Sequence, residues 1–185
     1  MKTRTLGRFL MASALLAGAA AASTKGSAIL PQSDSDIVAS VRHVVAMYPY
    51  YSLWDDVSFR VAGGNVGLIG EVNQPFKKQD IERLVQKVPG VASVTNDIKV
   101  LPLSSMDDRL RLQVASAIFR DPSLSRYGMG AVPAIHIIVE NGHVTLTGMV
   151  NSDMEKQIAG MRAASSLSFG PITNNLVVEH PARKS

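Results

Sequence analysis

The residues of this chain best suited to acid–base chemistry or metal binding are its histidines: His43, His136, His143 and His180. If Asn141-Gly142 forms a two-residue turn, His136 and His143 lie on the same outer face of one hairpin. They are then about four residues apart along the ladder, or roughly 14 Å at about 3.4 Å per residue. Because that is too far for two ligands of one metal ion, we interpret them as surface histidines.

Two pairs of adjacent aspartates, Asp55-Asp56 and Asp107-Asp108, could in principle supply paired carboxylates for acid–base catalysis. Adjacent side chains usually point apart, however, so we predict that Asp107 caps a helix and that Asp55 is a turn residue. The chain has no Cys, which excludes disulfides, thiolate nucleophiles and Cys-ligated zinc. We predict no enzymatic activity and no cofactor, with a hydrolase whose triad assembles in space as the contrasting alternative.

Residues 1–22 have the pattern of a secretory signal peptide. Three basic residues precede an apolar run from Phe9 to Ala22, and the small residues Ala20 and Ala22 fit a cleavage site. The run is about 14 residues long, shorter than the roughly 20 that cross a bilayer as a helix. We therefore predict a cleavable export signal, with an uncleaved anchor as the alternative.

The charge of the chain depends on whether this segment is counted. It holds three of the 19 basic residues and none of the 15 acidic ones, so the rest of the chain has a net charge near zero. No run of Lys or Arg exceeds two residues. Because nucleic-acid binding needs a basic stripe that neutralises several phosphates, we predict no nucleic-acid partner.

The rest of the chain contains an internal repeat. Val57–Val100 aligns without a gap on Ile135–Val178, each residue matching the one 78 positions later. Twelve positions are identical, among them Gly64/Gly142, Gly70/Gly148 and Asn96/Asn174. A period this long indicates two copies of a small domain rather than a solenoid of short units.

Each copy predicts the element order α-β-β-α-β. Apolar residues at helical spacing predict first helices around Ile37–Tyr48 and Leu110–Ile118. Alternating apolar residues on both sides of Gly63-Gly64 and Asn141-Gly142 predict hairpins with two-residue turns. We predict an α+β fold of two tandem units, each a small three-stranded sheet with two helices on one face.

The first helices align with a smaller offset than the hairpins do. Their apolar residues match at an offset of 73 residues, whereas the hairpins match at an offset of 78. Copy two should therefore have five extra residues before its hairpin, around Arg126–Pro133. We expect residues 1–30 to pack against nothing, because the signal is removed and Ser23–Leu30 has no clear periodic pattern, and we expect Pro181–Ser185 to be loose as well.

Two stretches of the chain resemble the signature segments of the BON domain. They are Asn-Gly-His-Val-Thr-Leu-Thr-Gly at 141–148 and Pro-Gly-Val-Ala-Ser-Val-Thr-Asn-Asp-Ile-Lys-Val at 89–100. The resemblance covers 34–102 and 105–180, which we predict to be the two domains. In copy two Ser168-Phe169-Gly170-Pro171 replaces the usual Gly-Val, so its second helix is expected to end differently.

The resemblance implies a non-catalytic protein of the Gram-negative periplasm. Members of the family are thought to bind anionic phospholipid surfaces or other envelope components and to support envelope integrity under stress. Some members are proposed to act as chaperones, so a protein-interaction or chaperone module is the alternative function. We expect the partner to be an anionic membrane surface or an envelope protein, and the oligomeric state stays open.

The first helix of copy two is the candidate binding element. At about 100° per residue, Leu112 and Phe119 project nearly opposite its buried stripe, with Arg109 and Arg120 beside them and Arg111 at the edge. Apolar side chains between arginines suit an anionic lipid surface or a partner with an acidic rim. The resemblance also implies lipid contact through this element in some members. The alternative is that copy one covers Leu112 and Phe119.

Four aromatic residues are concentrated between positions 48 and 54. Three of them, Tyr50, Tyr51 and Trp54, could form an exposed aromatic patch for a partner or for interfacial membrane contact. The alternative is local core packing where the first helix leads into the hairpin.

Overall fold

The computed structural model describes residues 33–130, 133–166 and 170–179. The predicted signal peptide and the predictions for residues 1–30 and 181–185 lie outside these ranges. None of the described helices is long and apolar enough to span a membrane. Both repeats belong to one compact unit of the chain.

Repeat one has the predicted element order. Its elements are α1 (Asp34–Ala46), β1 (Asp56–Ala62), β2 (Asn65–Val72), α2 (Pro75–Gln86) and β3 (Ser93–Val100). The central strand β2 pairs with β1 in antiparallel and with β3 in parallel orientation. The apolar stripes of both helices pack on this sheet around Val41, Leu68, Ile81 and Ile98, all at most 1% exposed.

Repeat two follows the same order with two differences. Its elements are α3 (Ser105–Phe119), a 3-10 helix (Ser125–Gly128), β4 (Ile135–Glu140), β5 (His143–Val150), α4 (Asp153–Ser166), β6 (Ile172–Asn174) and β7 (Val177–Val178). The final strand is split, and both pieces run parallel to β5, so this sheet has four strands. The α+β prediction is confirmed. The second helix is described over 14 residues against 12 in repeat one, and the expected difference in how it ends falls on residues 167–169, outside the described ranges.

Both hairpins turn at the predicted residues. Gly63 and Gly64 have φ angles of 56° and 77°, and Asn141 and Gly142 have 52° and 79°. Positive φ at both central residues is the type I′ geometry, whose twist matches that of the flanking strands. Gly and Asn tolerate this conformation best, which explains why the turns fall there.

An aspartate near the start of each first helix holds the hairpin turn of its own repeat. The Asp34 carboxylate accepts hydrogen bonds from both turn N–H groups of repeat one, at 2.8 and 3.0 Å. Asp107 does the same in repeat two, at 2.9 and 2.8 Å. The predicted capping role of Asp107 was wrong, because the side chain of Ser104 caps α3.

The predicted five-residue insertion in repeat two is confirmed. Asp34 and Asp107 are equivalent and lie 73 positions apart, whereas the turns they bind lie 78 apart. The longer connection from α3 to β4 contains the 3-10 helix, and it places Leu124 and Tyr127 in the core at 0% and 8% exposure. The extra residues therefore enlarge the core of repeat two.

The outer side of β4 faces repeat one. Residues 135–139 are all buried, whereas the residues of β1 are half-buried or exposed. The Ile137 N–H donates to the Leu53 carbonyl at 2.7 Å, and the His136 ring contacts the Tyr51 ring edge-on. The prediction of a surface histidine at 136 was wrong, because repeat one covers it to 8% exposure.

Candidate functional site

The helix α3 buries one stripe and exposes another that combines apolar and basic side chains. Its buried residues are Asp107, Leu110, Arg111, Val114 and Ile118. Its exposed residues include Met106, Arg109, Leu112 and Gln113, and together with the exposed C-cap residue Arg120 they form what we call the α3 outer face. Leu112 is 64% and Met106 69% exposed, so repeat one leaves both accessible.

The two arginines of the α3 outer face are available to a ligand. No ion pair or side-chain hydrogen bond is made by Arg109 or Arg120 within the part of the chain that the structure describes. At about 1.5 Å rise per residue they stand roughly 16 Å apart along the helix. Leu112 lies between them, so an apolar contact would form between two positive charges.

Phe119 does not belong to this face. Its ring packs against the core of repeat two, and it lies beside Gly128 of the 3-10 helix, where an added Cβ would meet the ring at 3.0 Å. The expectation that Phe119 projects beside Leu112 was therefore wrong. The cause is the inserted segment, which covers this end of α3.

Arg111 is a structural residue, only 4% exposed. Its guanidinium donates to the Val139 carbonyl at 2.7 Å and pairs with Asp108. Since Val139 lies on the edge strand β4, Arg111 satisfies a backbone carbonyl that the sheet leaves unpaired. The helical wheel placed Arg111 at the edge of the binding surface. In the structure, the hydrogen bond to the Val139 carbonyl keeps the Arg111 side chain buried.

The equivalent face of repeat one has a different chemistry. With the 73-residue offset, Asp36 stands where α3 has Arg109, and Ala39 stands where it has Leu112. Asp36 forms a capping box with Ser33, in which its carboxylate accepts from the Ser33 N–H and its own N–H donates to the Ser33 hydroxyl oxygen. Both first helices therefore carry an aspartate that accepts hydrogen bonds from the hairpin turn of its own repeat, which we call the aspartate tie. Of the two helices, α3 is the one that exposes an apolar side chain between arginines.

The aromatic residues of segment 48–54 do not form one patch. Tyr48 is buried in the core of repeat one, and its hydroxyl donates to Asp80 at 2.8 Å. Tyr50 is 61% exposed and contacts Phe76 edge-on. Tyr51 is half-buried, and this burial raises the pKa of its hydroxyl to about 12. Trp54 packs against the core of repeat two. Local packing thus accounts for most of the cluster.

Asp55 and Lys77 form a buried ion pair that the sequence interpretation missed. Their charged atoms are 2.6 Å apart, and the side chains are 0% and 5% exposed. The carboxylate also accepts hydrogen bonds from the Ser52 hydroxyl at 2.7 Å and the Asn73 N–H at 3.0 Å. A Ser, a Lys and an Asp thus meet, but burial closes them to a substrate, so we assign them a structural role.

The equivalent position of repeat two has the opposite charge arrangement. Glu155 stands where repeat one has Lys77, and it pairs with Arg126 of the inserted segment. The Tyr127 hydroxyl also donates to Glu155 at 2.7 Å. Desolvation opposes ionisation of this carboxyl, but the Tyr127 hydrogen bond and the Arg126 charge lower its pKa.

The matching asparagines of the two final-strand segments, Asn96 and Asn174, also have a structural role. Asn96 donates its side-chain amide to the Lys78 carbonyl of α2 at 2.9 Å, and Asn174 donates to the Lys156 carbonyl of α4 at 2.8 Å. These bonds join the last strand to the second helix.

In the described ranges, no group of three His, Cys, Asp or Glu residues could hold a metal ion.

Comparisons with known proteins identify the family. Two solved structures of CdsD, a structural protein of the type III secretion system of Chlamydia trachomatis, are similar to this chain at 13% identity. Its C-terminal domain gives a TM-score of 0.30, with coverage of 80% of this chain and 100% of that one; the other gives 0.27, with 78% and 93%. No curated protein matches. The BON domain model matches residues 33–102 and 106–179, so the chain belongs to the BON domain family.

Proposed function

We propose that this protein is a periplasmic envelope protein that binds anionic phospholipid surfaces through the α3 outer face. The BON domain is a non-catalytic binding domain, which favours a binding function over a reaction. The signal-peptide pattern of residues 1–22 supports export. The observation that carries the proposal is the exposed Leu112 between two arginines that make no ion pair with any described residue.

The composition of this face suits a membrane surface. Two arginines near an anionic bilayer contribute about 1 kcal/mol each. Transfer of an exposed Leu or Met side chain into the acyl boundary contributes roughly 1.5–3 kcal/mol when burial is complete. The sum, reduced by incomplete insertion and the entropy of association, corresponds to weak and reversible binding that salt reduces.

Vesicle sedimentation tests this assignment. The protein without residues 1–22 is mixed with phosphatidylglycerol vesicles or with uncharged phosphatidylcholine vesicles, at low and high salt. We expect sedimentation only with the anionic vesicles, and less of it at high salt. Sedimentation that is equal with both vesicles would contradict an anionic binding surface.

Matched variants locate the contact. Arg109→Ala with Arg120→Ala should reduce anionic-vesicle binding at least tenfold, and Met106→Ser with Leu112→Ser should reduce it comparably. The control is Arg42→Ala with Arg60→Ala, which removes the same charge from exposed positions of repeat one. If the control pair weakens binding as much as the α3 pair, net charge rather than this face is responsible.

A second candidate function is an adaptable protein-interaction or chaperone module. All six methionines in the described ranges are between 49% and 81% exposed. Methionine side chains are flexible and polarisable, and they are common on surfaces that accept varied apolar partners. Suppression of the aggregation of an unfolded client, lost when Met154 and Met161 are replaced by Ser, would favour this function over membrane binding.

A further inference from the structure

A polar cleft lies where the two repeats meet, away from the α3 outer face. It has a volume of about 540 Å³. Glu71 of repeat one forms one wall, and the outer faces of β4 and β5 form the other. Repeat two contributes most of the hydrogen-bonding side chains: Glu140, Asn141, His143, Thr145 and Thr147. The volume falls in the range of small-molecule sites.

Two polar groups of this cleft lack partners among the residues that the structure describes. The Thr147 hydroxyl oxygen is buried and has no hydrogen bond to any of them. The Glu71 carboxylate makes no ion pair or hydrogen bond within the described ranges, whereas its neighbour Glu140 is paired with Lys99. Buried polar groups without partners are rare in native structures, so the Thr147 hydroxyl indicates a position that a bound molecule completes. Glu71 is half-buried, and it adds a carboxylate that is free to pair with a ligand cation.

The electrostatics of the cleft favour a cation. Burial and the Asp56 charge raise the pKa of Glu71, Lys99 opposes this, and Glu140 adds to it. Lys99 is already engaged by Glu140 at 2.6 Å. A ligand ammonium group beside Glu71 would offset the repulsion among three carboxylates, since an opposite charge at close range stabilises the ionised form.

Repeat one has no such surface at the equivalent positions. With the 78-residue offset, Asn65, Gly67 and Ile69 occupy the positions of His143, Thr145 and Thr147. The exchange of Gly and Ile for two threonines adds two hydroxyl groups that the shared fold does not require. These hydroxyl groups line the cleft and can hydrogen-bond to hydroxyl groups of a ligand.

We propose that this cleft binds a small organic ammonium compound that also carries hydroxyl groups, of the amino-sugar type. The ammonium group lies against Glu71, and the ligand hydroxyls bond to Thr145 and Thr147. The site needs both repeats, because the acidic wall comes from repeat one and the hydroxyl wall from repeat two. It is independent of the α3 outer face, so either site can fail a test without the other.

Nuclear magnetic resonance titration of the whole chain without residues 1–22 tests the proposal, with glucosamine and glucose as probes. Glucose has the hydroxyl groups without the amine. We expect glucosamine, and not glucose, to shift the backbone amide signals of His143, Thr145 and Thr147. A site with a Kd of about 1 mM would be nearly saturated at about 50 mM, so the absence of shifts at that concentration would overturn the proposal.

Two variants test the assigned roles. Glu71→Gln should weaken glucosamine binding at least tenfold, whereas Asp97→Asn, the same change at an exposed position of β3, should leave it unaltered. Thr147→Val removes the unpartnered hydroxyl at nearly constant shape, so it should weaken binding without loss of thermal stability. Equal shifts with glucose, or unchanged affinity in Glu71→Gln, would refute an ammonium site.

Discussion

The first helices α1 and α3 perform the same structural task and present different surfaces. Each carries an aspartate that accepts two hydrogen bonds from the turn of its own hairpin. On their outer sides, α1 has Asp36 and Ala39 where α3 has Arg109 and Leu112. Residues that hold the repeat together are therefore shared, and residues that face solvent have diverged, so the proposed binding surface belongs to α3 and has no counterpart on α1.

The same contrast holds for the ion pairs between the first connection and the second helix. Repeat one places the acid on the connection and the base on α2, as Asp55 and Lys77, and buries both. Repeat two reverses the charges with Arg126 and Glu155, and leaves the arginine 52% exposed. Both repeats thus place an ion pair between the first connection and the second helix. The burial of the two charged side chains decides how much the pair contributes to the free energy of unfolding.

The largest expected effect comes from breaking the buried pair. Lys77→Met leaves the Asp55 carboxylate buried without its counterion, which should lower the free energy of unfolding by about 3–5 kcal/mol. Urea denaturation followed by circular dichroism measures this. Arg126→Met, which removes the basic partner of the pair in repeat two, should have a much smaller effect because water solvates that arginine. Losses of equal size would contradict the contrast in burial.

The aspartate ties should rank next. Asp107 is 1% exposed, so Asp107→Ala leaves two turn N–H groups without a charged acceptor and should cost about 2–3 kcal/mol. The exposed Asp34 should cost about 1 kcal/mol or less when changed to Ala, since water replaces it. The same denaturation experiment compares them. A larger loss for Asp34→Ala would show that burial does not govern these ties.

The smallest expected effect is a pH dependence at the contact between the repeats. Burial lowers the pKa of His136, against the charges of Asp56 and Asp55. A histidine with a depressed pKa stabilises the fold while it is neutral, so its contribution should be complete above the unfolded pKa of about 6.5 and decline as the pH falls below that value.

Unfolding measured between about pH 7 and about pH 5 tests this contribution. His136→Gln should flatten the decline in stability, and His143→Gln serves as the control. A decline as steep in His136→Gln as in the parent would assign the pH dependence to other groups.

Local patterns predicted much of this fold. The turns at Gly63-Gly64 and Asn141-Gly142, the α-β-β-α-β order and the five-residue insertion all follow from short-range spacing and from the repeat itself. The aspartate tie was also detectable, because Asp34 and Asp107 match under the same 73-residue offset as the helices. It was missed because an aspartate near a helix start usually caps that helix.

Contacts distant in sequence were not predictable in this way. Asp55 and Lys77 are 22 residues apart, and repeat two has Pro133 and Glu155 at those positions, so the repeat gives no signal for the pair. The helical wheel misplaced Phe119 because it describes an isolated helix and ignores the inserted segment that covers its end. The placement of Leu112 and Arg109 agreed with the wheel because no described segment covers that part of α3.

The most direct test of the membrane assignment compares equivalent positions of the two first helices. The chain has no Cys, so Leu112→Cys and Ala39→Cys each create a single site for a spin label. With anionic vesicles, we predict that the label at position 112 becomes accessible to oxygen dissolved in the bilayer and protected from a water-soluble nickel reagent, while the label at position 39 stays in water. If the label at 112 stays as exposed to the nickel reagent as the label at 39, the α3 outer face does not contact the membrane.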